Sequence, residues 1–352
     1  MKRPVVIFLY TEIATYFTAC CNELQKFADV HVIRYPVNKE APFQFGEDGD
    51  GVKYYERKNH SPEELKQLVL SLNPDIIFCS GWIDKEYLKI CAAYKGKIPV
   101  VLCMDTKWKG TAKQKIAALL SPFLLKTKFS HAWVPGNRQK EYAKKLGFAE
   151  KQIHTGYYCA DTSFFSPLFH KYKAQKKTNF PKRFLYVGRY YDFKGITDLW
   201  QAFIQLQKET PSEWELWCLG TGDIDPMQHP KIKHFGFVQP SDLEPYIADT
   251  GIFILPSRFE PWAVVVHEYA AAGFPMILSS EVGSADSFLI TGENGYLFEP
   301  ANIPDLKEKL KSITAVSDET LNLMSERSAA LADRLTTQTW AQTALTIIRN
   351  AN

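Results

Sequence analysis

The chain lacks most of the patterns that mark a specialised chemistry. Its seven cysteines (Cys20, Cys21, Cys79, Cys91, Cys103, Cys159, Cys218) are odd in number, scattered, and form no CxxC pair. That excludes a disulfide framework or a cysteine-built metal centre, and suits reduced thiols of a cytosolic protein. No apolar run approaches the ~20 residues that cross a bilayer. The stretch behind Met1-Lys2-Arg3 is interrupted by Pro4 and Glu12, too short for a signal-peptide core, so the expected localisation is cytoplasmic. A net charge of +3, with no RRM, zinc-finger or helix-turn-helix signature, argues against nucleic acid. HExxH, Gly-x-Ser-x-Gly and Walker A strings are missing as well, which removes zincin, α/β-hydrolase and P-loop chemistry. Two Asp-x-Asp strings, Asp48-Gly49-Asp50 and Asp223-Ile224-Asp225, do not follow convincing strand ends. No metal and no cofactor are expected.

What is present is ordinary in bulk and ordered in pattern. At 352 residues the chain exceeds one compact core, and 45% hydrophobic with 23% charged residues describes a globular protein. Short apolar runs at 4–10, 30–35, 74–79, 99–103 and 131–134 read as strands. They alternate with helical patterns at 14–27, after Ser61-Pro62-Glu63-Glu64, and at 85–94 and 138–146. The rhythm restarts with strands at 183–187, 215–219, 233–235, 252–255 and 275–279, and helices at 196–208, 241–248 and 263–272. Between the halves, His170 to Lys177 is polar and basic without apolar periodicity, and reads as a linker. The expected layout is a first α/β domain over 1–168, a linker over 169–182, a second domain over 183–336, and a terminal helix over 337–352 that joins the first.

Two acids are placed for one extended ligand. Glu260 lies in the loop beyond a buried strand's carboxyl end, where open α/β sheets bind ligands, and Glu268 falls inside the following helix. At about 1.5 Å per helical residue they can address groups on the order of 10 Å apart, the span of a nucleotide-sugar. The bland reading is a solvated loop carboxylate plus a polar helix face. At the mouth of the second domain's first strand, Gly188 allows a tight turn, and Arg189 and Lys194 supply two cations suited to a diphosphate. Those cations also have the reading of ordinary surface residues.

The ordered set Gly188-Arg189, Lys194-Gly195, Leu219-Gly220-Thr221-Gly222, Glu260 with Glu268, and Glu293-Asn294-Gly295-Tyr296-Leu297-Phe298 resembles the carboxyl-terminal half of the retaining GT-B glycosyltransferases of family 4. The stretch His154 to Asp161 through Phe165 is similar to that family's crossover between domains. The resemblance implies an α/β GT-B fold, two Rossmann-like domains with parallel sheets facing an interdomain cleft. It implies transfer of a sugar from a nucleotide-diphosphate-sugar donor to a glycan or lipid-linked acceptor, with retention. Arg189 and Lys194 match the family's diphosphate cations, Glu268 the carboxylate for the ribose, and Glu260 the one for the transferred sugar. Trp262, Ala263 and Val264 would offer backbone N–H groups at a helix start, although Pro-Trp-Ala departs from the usual Gly-rich turn. Gly283-Ser284-Ala285-Asp286 stands where the family has Gly-Gly-x-x-Glu.

In the first domain Met104 stands where the family often has His. Asp105 is then a candidate catalytic or acceptor-positioning residue, or simply a turn aspartate. Thr11, Glu12, Lys107 and Trp108 are further candidates for the acceptor side. The segment Lys107 to Lys128 is basic with an apolar body. It reads either as an amphipathic helix with its lysines in water or as a contact with an anionic leaflet on the inner face of the membrane. A nucleotide-sugar epimerase or hydrolase, and a non-catalytic sugar-nucleotide or glycan-binding subunit, remain alternative readings.

Overall fold

The computed structural model describes residues 3–36 and 51–350, so Asp48-Gly49-Asp50 lies outside the described residues. The chain divides into two units: one of Met1–Asp161 with Leu335–Asn352, the other of Thr162–Arg334.

The first unit holds strands β1 (Val5–Leu9), β2 (Asp29–Arg34), β3 (Lys53–Glu56), β4 (Ile76–Ser80), β5 (Val100–Cys103), β6 (His131–Trp133) and β7 (Ile153–His154). Their order in the sheet is β3-β2-β1-β4-β5-β6-β7, and every pairing is parallel. Its helices are α1 (Thr15–Leu24), α2 (Pro62–Leu72), α3 (Lys85–Tyr94), α4 (Ala112–Leu124) and α5 (Asn137–Lys145). The continuous apolar run of β1 follows from burial on both faces. Val6 and Phe8 join one core cluster, and Ile7 and Leu9 the other.

In the second unit come α6 (Thr162–Thr178), β8 (Arg183–Val187), α7 (Ile196–Glu209), β9 (Glu215–Leu219), β10 (Ile232–His234), α8 (Glu244–Asp249), β11 (Ile252–Leu255), α9 (Val264–Ala271), β12 (Met276–Ser279), α10 (Ala285–Phe288), β13 (Gly295–Phe298), α11 (Ile303–Thr314) and α12 (Asp318–Ala332). The closing helix α13 (Thr337–Asn350) returns to the first unit. There the Trp340 ring lies 4.8 Å from that of Trp133, and its indole N–H donates to the Tyr157 carbonyl at 2.8 Å. The second sheet, also all parallel, has the order β10-β9-β8-β11-β12-β13. Phe203 of α7 meets Phe184, whereas Tyr269 of α9 stacks on Phe253, the register partner of Leu185. Phe184 and Leu185 point to opposite faces, so α7 and α9 cover opposite sides of the sheet.

The expected linker is corrected. Residues 162–178 form a helix of the second unit, and the crossover comes at Asp161 rather than beyond 168. The buried positions Thr162, Phe165, Leu168 and Lys176 trace a helical stripe in which a lysine takes an apolar place. Its ammonium donates to the Thr250 carbonyl at 2.8 Å and sits 4.1 Å from the Phe274 ring centre. Reading from His170 onward shows only the polar half of that pattern.

Candidate functional site

The second sheet reverses its strand order between β8 and β11. Loops leaving the carboxyl ends of those two strands therefore diverge and open a crevice. Both carry predicted site residues.

After β8 the chain is held rigidly. Gly188 N–H donates to Leu219 O at 3.0 Å and Tyr190 N–H to Thr221 O at 2.8 Å, joining this turn to the Gly220-Thr221-Gly222 turn after β9. The Tyr186 hydroxyl donates to the Arg189 carbonyl at 2.8 Å, and a Cβ on Gly188 would crowd that hydroxyl. Gly195, at φ 67°, lets the chain pass against the Pro256 carbonyl, where any side chain would collide. The Arg189 guanidinium lies 5.5 Å from the Tyr191 ring centre and the Lys194 ammonium 5.6 Å from that of Phe193.

The β11 loop is tied to this one. Arg258 N–H donates to Phe193 O at 2.8 Å. The Arg258 guanidinium grips Asp198 with two bonds of 2.9 and 2.7 Å and reaches Asp192 at 2.8 Å. Charge-assisted bonds of this forked kind fix orientation as well as distance. Here two residues assigned to different parts of a ligand meet directly: Lys194 Nζ lies 2.5 Å from Glu260 Oε2, with side chains 17% and 12% exposed. The Ser257 hydroxyl adds a bond to the same oxygen at 3.4 Å. Arg258, Asp198 and Ser257 were missed in the sequence reading. Arg258 sits within two residues of Glu260, but the carboxylate it grips lies 60 residues earlier, with no spacing rule to reveal it.

From Glu260 the chain enters α9 through a strained turn. Ala263 has φ 78°, a left-handed conformation unusual for a residue with a Cβ, and α9 has no side-chain cap. Gly283 and Ser284 brace the turn: Gly283 N–H donates to Glu260 O at 3.1 Å, Ser284 N–H to Trp262 O at 2.9 Å, and the Ser284 hydroxyl to Ala263 O at 3.0 Å. No side chain fits at Gly283, which faces the Pro261 carbonyl. Val264, Val265 and Glu268 are half-buried, whereas Val266, His267, Tyr269 and Ala270 are buried. Their spacing places Glu268 on the same face as the first turn of α9. The Trp262 side chain is turned into the fold, so only its backbone N–H is left to the role expected of this turn. The residue is 3% exposed, packed edge-on to Phe288, and its indole N–H is enclosed without a partner.

In the first unit, Thr11 follows β1 and its hydroxyl lies 3.4 Å from that of Ser80, the last residue of β4. Asp105, after β5, accepts a bond from the Tyr158 hydroxyl at 3.4 Å. Burial first, and the Asp105 charge second, push that phenol well above its ordinary range. Because β1, β4 and β5 are neighbours, Thr11, Ser80 and Asp105 gather at one carboxyl edge; Glu12 is exposed beside them. Lys107 and Trp108 do not join them as open groups. Lys107 is 7% exposed, and Trp108 lies against Tyr142 with Lys145 over its ring. Met104 is buried under this edge. Among the described residues, no group of three or more His, Cys, Asp or Glu is placed to hold a metal ion.

Residues 181–315 match the family model of glycosyl transferases group 1. Glycogen synthase of Mycobacterium tuberculosis (strain H37Rv) is 27% identical over 151 residues, 40% of this chain and 36% of that protein. An uncharacterized glycosyltransferase of Haemophilus influenzae is 27% identical over 174 residues, 47% of this chain and 48% of that one. These matches span about a third to a half of the relatives' own length. Over the whole chain the fold is that of solved GT-B structures. A glycosyltransferase from Rickettsia africae superposes with a TM-score of 0.75 at 14% identity, covering 100% of this chain and 99% of that one. Anabaena Alr3699/HepE in complex with UDP gives 0.71 at 14% identity, covering 98% and 99%.

Proposed function

We propose that the protein is a glycosyltransferase that moves a sugar from a nucleotide-diphosphate-sugar to an acceptor hydroxyl with retention, in cell-surface polysaccharide or lipid-linked oligosaccharide synthesis. The observation carrying this reading is the contact of Lys194 with Glu260 beside the uncapped start of α9, inside the segment that matches glycosyl transferases group 1. A diphosphate is the ligand that would exchange with Glu260 for the lysine. Its arrival frees the carboxylate to accept hydrogen bonds from sugar hydroxyls. Arg189, Lys194 and the first N–H groups of α9 would then neutralise the departing diphosphate as the glycosidic bond breaks. Glu268, on the outward face of α9, is assigned the ribose. As the family resemblance implies, the leaving diphosphate is assigned the acceptor's proton as the new bond forms on the same face of the sugar. Asp105 is assigned to the acceptor.

Anabaena Alr3699/HepE has been solved in complex with UDP and, in another structure, with UDP-glucose, so UDP-sugars are the first donors to test. A donor bound at 100 times its Kd should stabilise the protein by about 2.7 kcal/mol in thermal-shift screens of UDP, GDP, ADP and their sugars. Turnover of a labelled donor is then followed with and without acceptor. Lys194→Ala and Arg189→Ala should each lower transfer at least tenfold with circular dichroism unchanged. Unchanged rates in both reject the assignment, and equal sugar release without acceptor points to a hydrolase.

A further inference from the structure

Helix α4 presents its apolar side to solvent. Ser121 and Leu125 face inward, the Ser121 hydroxyl donating to the Leu146 carbonyl at 2.7 Å. On the other side Ile116, Leu119, Leu120, Phe123 and Leu124 are 56%, 75%, 42%, 75% and 52% exposed. They follow the i, i+3, i+4, i+7, i+8 spacing of a single helical face. Among the described residues thirteen large hydrophobic side chains are exposed, and five of them fall on this one helix. Contiguous apolar exposure of this kind marks an interaction surface.

Charge narrows the partner. From Thr106 to Lys140 the sequence has no Asp or Glu. Lys109, Lys113 and Lys115 are exposed around the amino-terminal end of the helix, and Lys126 and Lys128 are half-buried past its carboxyl end. A second copy docking through the same face would set these cations against one another. A helix of 13 residues is too short to cross a bilayer, and no described helix is long and apolar enough to do so. An apolar face bordered by cations suits a helix lying in the plane of a negatively charged lipid surface.

We propose that α4 docks the first unit onto an anionic phospholipid leaflet, Leu119 and Phe123 entering the acyl boundary while Lys109, Lys113 and Lys115 meet the headgroups. Lys107 and Trp108 take no part, being turned to the protein. Only one corollary rests on the glycosyltransferase reading: such docking would serve an acceptor that is itself lipid-linked.

The test is co-sedimentation of the full chain, without nucleotide or sugar, with phosphatidylcholine vesicles and with vesicles containing about a third phosphatidylglycerol. Wild type should bind the anionic vesicles at least tenfold more tightly and lose that preference at high salt. Leu119→Gln/Phe123→Gln and Lys113→Glu/Lys115→Glu should each weaken binding at least tenfold at unchanged melting temperature. Leu70→Gln/Ile83→Gln, on isolated exposed apolar residues, should bind as wild type. The proposal is overturned if wild type binds neither vesicle, or if both α4 variants bind as wild type. It is also overturned if sedimentation velocity shows a dimer that Leu119→Gln/Phe123→Gln dissociates while no vesicle binding occurs. Because no donor is present, each of these failures leaves the donor-site reading untouched.

Discussion

The Lys194–Glu260 pair should show strong energetic coupling in a double-mutant cycle of Lys194→Met, Glu260→Gln and the combined variant. Removing one partner of a fully buried pair costs about 3–5 kcal/mol, whereas exposed pairs contribute roughly 0–1 kcal/mol. Side chains 17% and 12% exposed, 2.5 Å apart, place this contact nearer the buried limit. Each single variant should then lose about 2 kcal/mol, because Glu260 is left with the Ser257 hydroxyl at 3.4 Å, or Lys194 with the Phe193 ring. The double variant removes both charges and should lose about 1 kcal/mol, well below the sum of the singles, a coupling of about 3 kcal/mol. A two-unit chain need not unfold in one step. The stability is therefore read by hydrogen exchange on peptides from β8 and β11 in rising denaturant. A double variant as unstable as the two singles combined would show that the ammonium and carboxylate do not meet in solution, refuting the site built on that contact. All three variants should also lose donor turnover, since each removes a group assigned to the ligand.

Ala263→Gly should relieve the left-handed turn before α9. The strain of about 1–2 kcal/mol is partly offset by glycine's greater freedom in the unfolded chain. The net gain is about 0.5–1 kcal/mol, checked by thermal melting, and a less stable glycine variant would contradict the strained turn. Lys176 gives a pH signature. Burial pulls its ammonium from an ordinary 10.5 down to about 7, with Asp249 opposing. The folded state therefore binds fewer protons than the unfolded state between those values. The burial penalty is present in full below pH 7 and is relieved as pH rises toward 10. Stability of wild type should climb relative to Lys176→Met across that window, by up to about 1.4 kcal/mol per pH unit. Parallel pH profiles of the two proteins would contradict the buried, depressed lysine.

The alternation of apolar runs with helical patterns was enough to read most of the strands, because central parallel strands bury both faces and lose the polar alternation that would hide them. β3, β7 and β13 escaped notice. The first two are short, with charged or histidine ends, and the third opens on Gly295 and is only half-buried along its middle, so it lacks a continuous apolar run. The helix over 162–178 was lost because Lys176 occupies a core position, which periodicity scores as polar until the Thr250 carbonyl and the Phe274 ring are seen around it. The packing of the Trp262 ring against Phe288 was likewise not legible, because its partner lies on a separate helix, α10.

By itself the order of residues along the chain determined two βα halves and put Arg189, Lys194, Glu260 and Glu268 in loops and a helix beyond strand ends, since those properties are local. Tertiary structure alone decided that Lys194 and Glu260, 66 residues apart, touch. It also decided that Arg258 and Asp198 lock their loops together, and that α4 turns its leucines outward. Contacts between distant segments depend on strand order and on which helix face finds a partner, and neither is encoded in any single stretch of sequence.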